Sequence, residues 1–124
     1  MAGKVFDLTG KVAVITGGAT GIGLGIAQGF ARAGADLVIA ARRKEKCEVA
    51  CAVLAEYGVA ALAVKCDVSS EHDVQAMIDA ALTRFGRVDI LVNNAGITGA
   101  AKPLLEIELT QWQKTLDTNL TGSM

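Results

Sequence analysis

The sequence predicts a doubly wound α/β fold of the Rossmann type, a parallel sheet with helices on both faces. Three observations carry that expectation. Short apolar runs alternate with longer helical patterns along the whole chain, which is the rhythm of right-handed β-α-β units. The 124 residues are 52% apolar but only 4% aromatic, a composition led by small aliphatic residues that suits strands buried on both faces. Finally, the run Val12-Ala13-Val14-Ile15 leads directly into Thr16-Gly17-Gly18-Ala19-Thr20-Gly21-Ile22-Gly23, a buried strand that turns through glycines into a helix.

The first strand is read at about Lys11 to Thr16. The helix after it covers about Thr20 to Ala33, with Ile22, Ile26 and Phe30 on one stripe and Gly34 as its cap, since a left-handed residue costs glycine little. The second strand is Asp36 to Ala41, and the second helix runs from about Lys44 to Tyr57 and ends at Gly58. The third strand is about Ala60 to Cys66. The third helix starts near Ser70, where Ser70-x-x-Asp73 has the form of an N-cap, carries Val74, Met77, Ile78, Ala81 and Phe85, and stops at Gly86. The fourth strand is Val88 to Val92. A loop follows, then a short turn after Pro103 and a last helix from near Thr110. Residues 111–124 keep helical character with no convincing stop at Gly122, so the sequence is expected to end inside a helix. The fourth strand would then present an unpaired edge. Gly21, Gly25 and Gly29, spaced by four, suggest close packing of the first helix on the sheet rather than membrane pairing, because Gln28 and Arg32 share that helix.

The length is enough for a single domain, 1–124, with a core of its own. A net charge of −1 gives no reason to expect nucleic acid or an anionic membrane as partner. No apolar run reaches the roughly 20 residues that span a bilayer. The opening residues Met1 to Asp7 contain no long apolar segment of the signal-peptide kind, and a cytoplasmic location is expected. Cys47 and Cys51 share a helix face but lack third and fourth ligands nearby, and His72 is the only histidine. With Cys66 they read as free thiols in a reducing compartment rather than as a metal site.

The glycine turn has a chemistry of its own. Gly17 lets the chain leave the strand sharply. Gly21 lets the backbone approach phosphates, and Gly23 lets the helix pack close. Thr20 and Ile22 belong to the same loop, and the free N–H groups at the helix start, with the positive end of its dipole, meet an anion such as a pyrophosphate. About twenty residues further on, where a carboxylate would grip ribose hydroxyls, the second strand ends Ile39-Ala40-Ala41 and continues Arg42-Arg43-Lys44. A carboxylate there would repel a 2′-phosphate, whereas a guanidinium binds one with two hydrogen bonds. Arg42, supported by Arg43, is the candidate for NADP over NAD. The plainer alternative is a solvated helix start, although cations are slightly unfavourable there.

The spacing T-G-x-x-x-G-x-G, Asp67-Val68 after the third strand, Asn93-Asn94-Ala95-Gly96 after the fourth, and Thr118-Asn119-Leu120-Thr121-Gly122 together resemble the short-chain dehydrogenase/reductase family, over essentially the whole chain. The resemblance implies the N-terminal, cofactor-binding half of an NADP-preferring member, truncated at its C-terminal side. It implies that Asp67 accepts a hydrogen bond from the adenine amino group while the Val68 N–H contacts the ring; a helix-capping acid is the alternative. It implies that Asn93, Ala95 and Gly96 line the cofactor, although Asn-Asn-Ala-Gly alone would make an ordinary turn. Asn119 is the one catalytic-type residue: in the family an asparagine in this helix orders a water that hydrogen-bonds the active-site lysine, completing a proton relay with serine and tyrosine. The alternative is a solvent-facing residue.

No tyrosine follows Asn119; the only one, Tyr57, precedes Ala61 where a lysine would be needed, and reads as structural. The family implies hydride transfer between NADP(H) and a small carbonyl or alcohol substrate. The opening from Phe6 to Val12 resembles members acting on 3-oxoacyl thioesters, sugar acids or similar ketones. A homodimer or homotetramer is implied for the full protein, since the family often pairs through this last helix. The competing reading is a non-catalytic dinucleotide-binding fragment or pseudoenzyme lacking the Tyr/Lys pair.

Overall fold

The computed structural model describes residues 6–98 and 101–124; most of the opening that argued against a leader, residues 1–5, lies outside them. Four strands, β1 (Val12–Thr16), β2 (Asp36–Ala41), β3 (Ala61–Lys65) and β4 (Ile90–Val92), alternate with helices α1 (Gly21–Arg32), α2 (Lys44–Ala55) and α3 (Glu71–Phe85). A 3-10 turn, Leu104–Glu106, then leads to α4 (Leu109–Asn119). The strands form one parallel sheet in the order β3-β2-β1-β4. Val14 sits at its centre, in register with Val38 on one side and Leu91 on the other. The chain builds outward from β1 to β3, then α3 carries it back to the opposite side of β1. The connections that leave β1 and β4 therefore part company at the reversal, the place where open α/β sheets form a crevice.

Period-two alternation divides the strands between two cores. Ala13, Ile15, Leu37 and Ile39 point to one face, where they meet Ala27 and Ala31 of α1 and Cys47, Ala50 and Leu54 of α2. Val12, Val14, Val38 and Ala40 point to the other, against Met77 and Ala81 of α3 and Cys66. Ile15, Leu37, Ile39 and Leu54 are fully buried, each contributing about 1.5–3 kcal/mol by leaving water.

The helix ends follow the expected punctuation. Gly34, Gly58 and Gly86 all take left-handed backbone, and the Ser70 hydroxyl accepts the Asp73 N–H at 3.2 Å as the N-cap of α3. β4 is unpaired on its outer side among the described residues, and Leu91 on it is half exposed.

Several expectations are corrected. The fully buried stripe of α1 is Gly23, Ala27 and Ala31; Ile26 and Phe30 are half-buried and pack against the same core, whereas Ile22 is 79% exposed. Small residues win this face because they let the helix axis sit close to the strands. Gly25 and Gly29 have open space where a Cβ would stand, so they do not pack on the sheet. α2 ends at Ala55, before Tyr57. α4 ends at Asn119, and a 3-10 turn, Thr121–Ser123, follows. There Gly122 lies so close to Val68 that a Cβ would meet its Cγ2 at 2.7 Å and its carbonyl oxygen at 3.0 Å. β4 begins at Ile90 rather than Val88.

Asp89 anchors the amino end of the sheet. Its carboxylate accepts the Val12 N–H at 2.9 Å and two hydrogen bonds from Arg87, at 2.8 and 2.6 Å, while its own N–H donates to the Val12 carbonyl. The Arg87 bonds, then that from Val12, hold its carboxyl below the ordinary 3.8. A depressed folded pKa contributes stability that is complete above the ordinary value and lost as pH falls through the folded one. Asp89→Asn is therefore expected to melt at a lower temperature than the parent at pH 7, with the gap closing as pH drops below 3.8. Thermal denaturation followed across pH 2–7 tests this; a gap as wide in acid as at neutrality would refute the ionic role.

Candidate functional site

A cleft of about 630 Å³ opens at the carboxyl ends of the strands. Its floor is the β1 turn, from Gly17, Ala19 and Thr20. The rim beyond β2 supplies Ala41, Arg42, Arg43 and Lys46. The exit of β3 supplies Cys66, Asp67 and Val68, and the loop after β4 brings Ala95, Gly96 and Ile97.

The turn is held in a shape that glycine permits. Gly17 has φ +65° and Gly21 φ +57°, a region where L side chains are strained. Gly21 has nothing within 4 Å of where its Cβ would be, so its hydrogen serves the backbone conformation and keeps the surface open. Gly23 is different: a Cβ there would run into the Gly17 carbonyl and stand 2.5 Å from Asn94 Nδ2. The helix thus packs on its own turn. The first α1 bond is Leu24 N–H to the Thr20 carbonyl, 3.2 Å, so the N–H groups of Gly21, Ile22 and Gly23 have no partner within the helix. Thr20 is its N-cap, yet its hydroxyl makes no capping hydrogen bond.

Thr16, 4% exposed, ties the end of β1 to the loop after β4. Its hydroxyl donates to the Val92 carbonyl at 3.3 Å and accepts the Asn94 and Ala95 N–H groups, each at 3.1 Å. Asn94 Nδ2 donates to the Gly17 carbonyl at 3.1 Å. Asn93 turns elsewhere: its Nδ2 donates to the Ser123 carbonyl at 3.3 Å, and it does not line the cleft.

Asp67 lines the cleft with one oxygen engaged. Oδ1 accepts the Ser69 N–H at 3.0 Å and the Ser69 hydroxyl at 2.7 Å. The hydroxyl bond first, then the N–H bond, lowers its pKa, which keeps it a carboxylate. Its other oxygen has no hydrogen-bond partner among the described residues. Its N–H donates to Asp73 Oδ2 at 3.0 Å, so the local turn and an open acceptor coexist in one residue.

Asn119 lies just outside the cleft and clamps its wall. Its Oδ1 accepts the Ile97 N–H and its Nδ2 donates to the Ile97 carbonyl, both at 2.8 Å. The structure thus brings Gly17, Thr20, Arg42, Arg43, Asp67, Val68, Ala95 and Gly96 onto one cleft, sets Gly21, Ile22 and Gly23 beside it at the start of α1, and leaves Asn93 and Asn119 as braces.

Sequence reading missed Thr16 as the tie and Lys46 as a lining residue. Its place in the first turn of α2, directly after the Arg42-Arg43 rim, was the signal that could have found Lys46. Thr118, also on the cleft, arrives only through the packing of α4. Cys47 and Cys66 are buried and Cys51 half-buried, all as free thiols, and burial pushes Cys51 and Cys66 up to about 11. Among the described residues no three His, Cys, Asp or Glu side chains are grouped to hold a metal, and no helix is long and apolar enough to cross a membrane. The exposed N–H groups, the glycine cradle and the cationic rim make a donor set suited to an elongated anion such as a dinucleotide.

Comparison with known proteins agrees with this geometry. The family model described as short chain dehydrogenase matches residues 11–124. The chain is 44% identical over 117 residues to 3beta-hydroxysteroid dehydrogenase 2 of Eggerthella lenta, covering 94% of this chain and 45% of that protein. Among solved structures, L-sorbose reductase from Gluconobacter frateurii, complexed with NADPH and L-sorbose, is similar with a TM-score of 0.89 and 40% identity over 95% of this chain and 45% of that one. NAD+-bound xylitol dehydrogenase is similar with a TM-score of 0.89 and 35% identity, over 94% and 45%. The chain spans about half the length of the curated relatives it matches.

The two glycines that look alike in sequence are expected to differ in effect. Gly21→Ala meets only backbone strain, about 1–2 kcal/mol. Gly23→Ala must displace the Gly17 carbonyl or lose the Asn94 bond as well, and is expected to be the more destabilising. Urea unfolding of both variants measures the order, and a reversal would show that the turn relaxes freely.

Proposed function

The chain belongs to the short-chain dehydrogenase family, and from that premise we propose that it forms the cofactor-binding half of an NADP(H)-dependent oxidoreductase acting on a small secondary alcohol or its ketone. The observation that carries the cofactor choice is the rim of the cleft beyond β2, where Ala41 is followed by Arg42 and Arg43 and no acid stands at the strand end. Relatives bound to NADPH and to NAD+ both exist, so the preference rests on these side chains.

Bound nicotinamide supplies the hydride acceptor or donor. In this reading the N–H groups of Gly21, Ile22 and Gly23 bind the pyrophosphate, with Gly17 and Thr20 beneath it. Arg42 and Arg43 take the 2′-phosphate. The open oxygen of Asp67 accepts from the adenine amino group beside the Val68 N–H, and Ala95 and Gly96 form the wall toward the ribose of the nicotinamide. Asn93 acts from behind, by holding the β4 loop to residue 123. Asn119 fixes Ile97 through its amide, which leaves its main-chain carbonyl, approached by Ser123 Oγ at 3.5 Å, as the group that orders a water for a proton relay.

The steroid and sorbose named for two relatives support a carbonyl/alcohol pair as substrate class. The proposal includes a cytoplasmic location, in keeping with three free thiols, and a homodimer or homotetramer of the full protein through α4, whose Leu109 and Trp112 are exposed.

Tyr57 does not serve as the acid or base. It follows α2 at the amino end of β3, away from the cleft, and its hydroxyl accepts from Arg32 at 3.5 Å. General acid–base catalysis is worth roughly 10²–10⁴-fold, and these 124 residues hold no tyrosine–lysine pair near the cleft. The chain as given is therefore expected to bind NADPH without turning over a panel of ketones, followed by nicotinamide absorbance. Turnover that survives purification and disappears in Asn119→Ala would overturn this. For the cofactor, Arg42→Ala is expected to weaken NADPH by about 1.5–3 kcal/mol, the range for a hydrogen bond to a charged group, and to leave NADH nearly unchanged. Titration calorimetry gives both numbers; equal affinity of the unmutated protein for the two cofactors would sink the assignment.

A further inference from the structure

We propose that Lys46 is a further determinant of cofactor choice, its ammonium joining Arg42 and Arg43 around the phosphate on the adenosine 2′-carbon. The proposal rests on the cofactor reading above and assigns a residue that reading does not use. Lys46 is the third residue of α2, whose N-cap is Arg43, and Arg42, Arg43 and Lys46 line the same cleft. Lys46 also lines an adjoining recess of about 290 Å³ with Ala19, Thr20, Glu45 and Val49. It therefore stands where the two hollows meet, on a lining shared with Ala19 and Thr20 of the turn, and the Thr20 hydroxyl makes no cap.

This arrangement is unfavourable without a ligand. Cations at a helix N-terminus oppose its dipole, three like charges gathered on one rim repel, and none of the three forms an ion pair among the described residues, although Arg42 lies close enough to Asp67 to help lower its pKa. A phosphate monoester carries about −1.5 to −2 charges near neutral pH and three acceptor oxygens, more than one guanidinium satisfies. The pyrophosphate has its own donors in the α1 N–H groups, which leaves the β2 rim to the 2′-phosphate. Lysine acts there as a point charge rather than a planar fork, so arginine should replace it.

The test titrates the intact protein with NADPH, NADH and adenosine 2′,5′-bisphosphate, with circular dichroism to verify the fold of each variant. Lys46→Gln is expected to bind NADPH and the bisphosphate about tenfold more weakly and NADH unchanged. Lys46→Arg is expected to keep the parent affinities. Lys44→Gln, which removes the same charge outside the cleft, is expected to alter none of the three. Parent-like binding by Lys46→Gln, with Arg42→Ala still discriminating, would overturn the proposal alone. Equal losses for NADPH and NADH would also overturn it, by placing the ammonium on the pyrophosphate. Failure of the unmutated protein to bind any of the three ligands would overturn the cleft assignment underneath.

Discussion

A single buried hydroxyl holds the mouth of the sheet together. β1 and β4 pair directly only as far as Ile15 and Val92, so the segments that leave them have no ladder bonds to hold them together. Thr16 supplies the missing link: one proton donated to Val92 and two N–H groups accepted from Asn94 and Ala95, the full capacity of a hydroxyl. From that point the constraint spreads. Asn94, fixed by its backbone, returns its side-chain N–H to the Gly17 carbonyl, and the same carbonyl is the surface on which Gly23 packs. The β1 turn, the β4 loop and the first turn of α1 thus share one network, and the open N–H groups of that helix inherit its rigidity.

The electrostatic design is local. A net charge of −1 conceals a rim where three cations crowd the start of α2 while the nearest cleft carboxylate, Asp67, is held ionised by Ser69. The cleft is therefore lined by cationic side chains and a carboxylate, with the unpaired N–H groups of α1 beside it. A uniform positive surface would attract any polyanion, whereas this cleft combines cations with a carboxylate on one lining.

Much of this was legible before any coordinates. The strands announce themselves because burial on both faces demands continuous apolar runs, as in Val12 to Ile15, and the helix ends because Gly34, Gly58 and Gly86 take backbone that other residues avoid. The glycine turn and the Arg42-Arg43 rim carry their chemistry in residue type and spacing. What escaped depends on distance in space. Ile22 looks like a core residue by periodicity, but the close approach of α1 to the sheet selects Gly23, Ala27 and Ala31 instead. At the end of α4, Asn119 meets Ile97 and Gly122 meets Val68, contacts not visible in the local sequence. Thr16 reads as the last residue of a strand, and nothing near it in the chain reveals that its partners lie 76–79 positions away.

The placement of the thiols has a consequence of a different kind. Cys47 belongs to the core beneath α1 and α2, and Cys66 to the core beneath α3, on opposite faces of the sheet. Both are sealed from water, and burial raises each above an ordinary thiol, so neither is nucleophilic until its own layer opens. The protein thus carries two internal clocks. The rate at which an alkylating reagent reaches each sulfur reports the breathing of one layer independently of the other, and reveals whether the helices on the two faces detach together or in sequence.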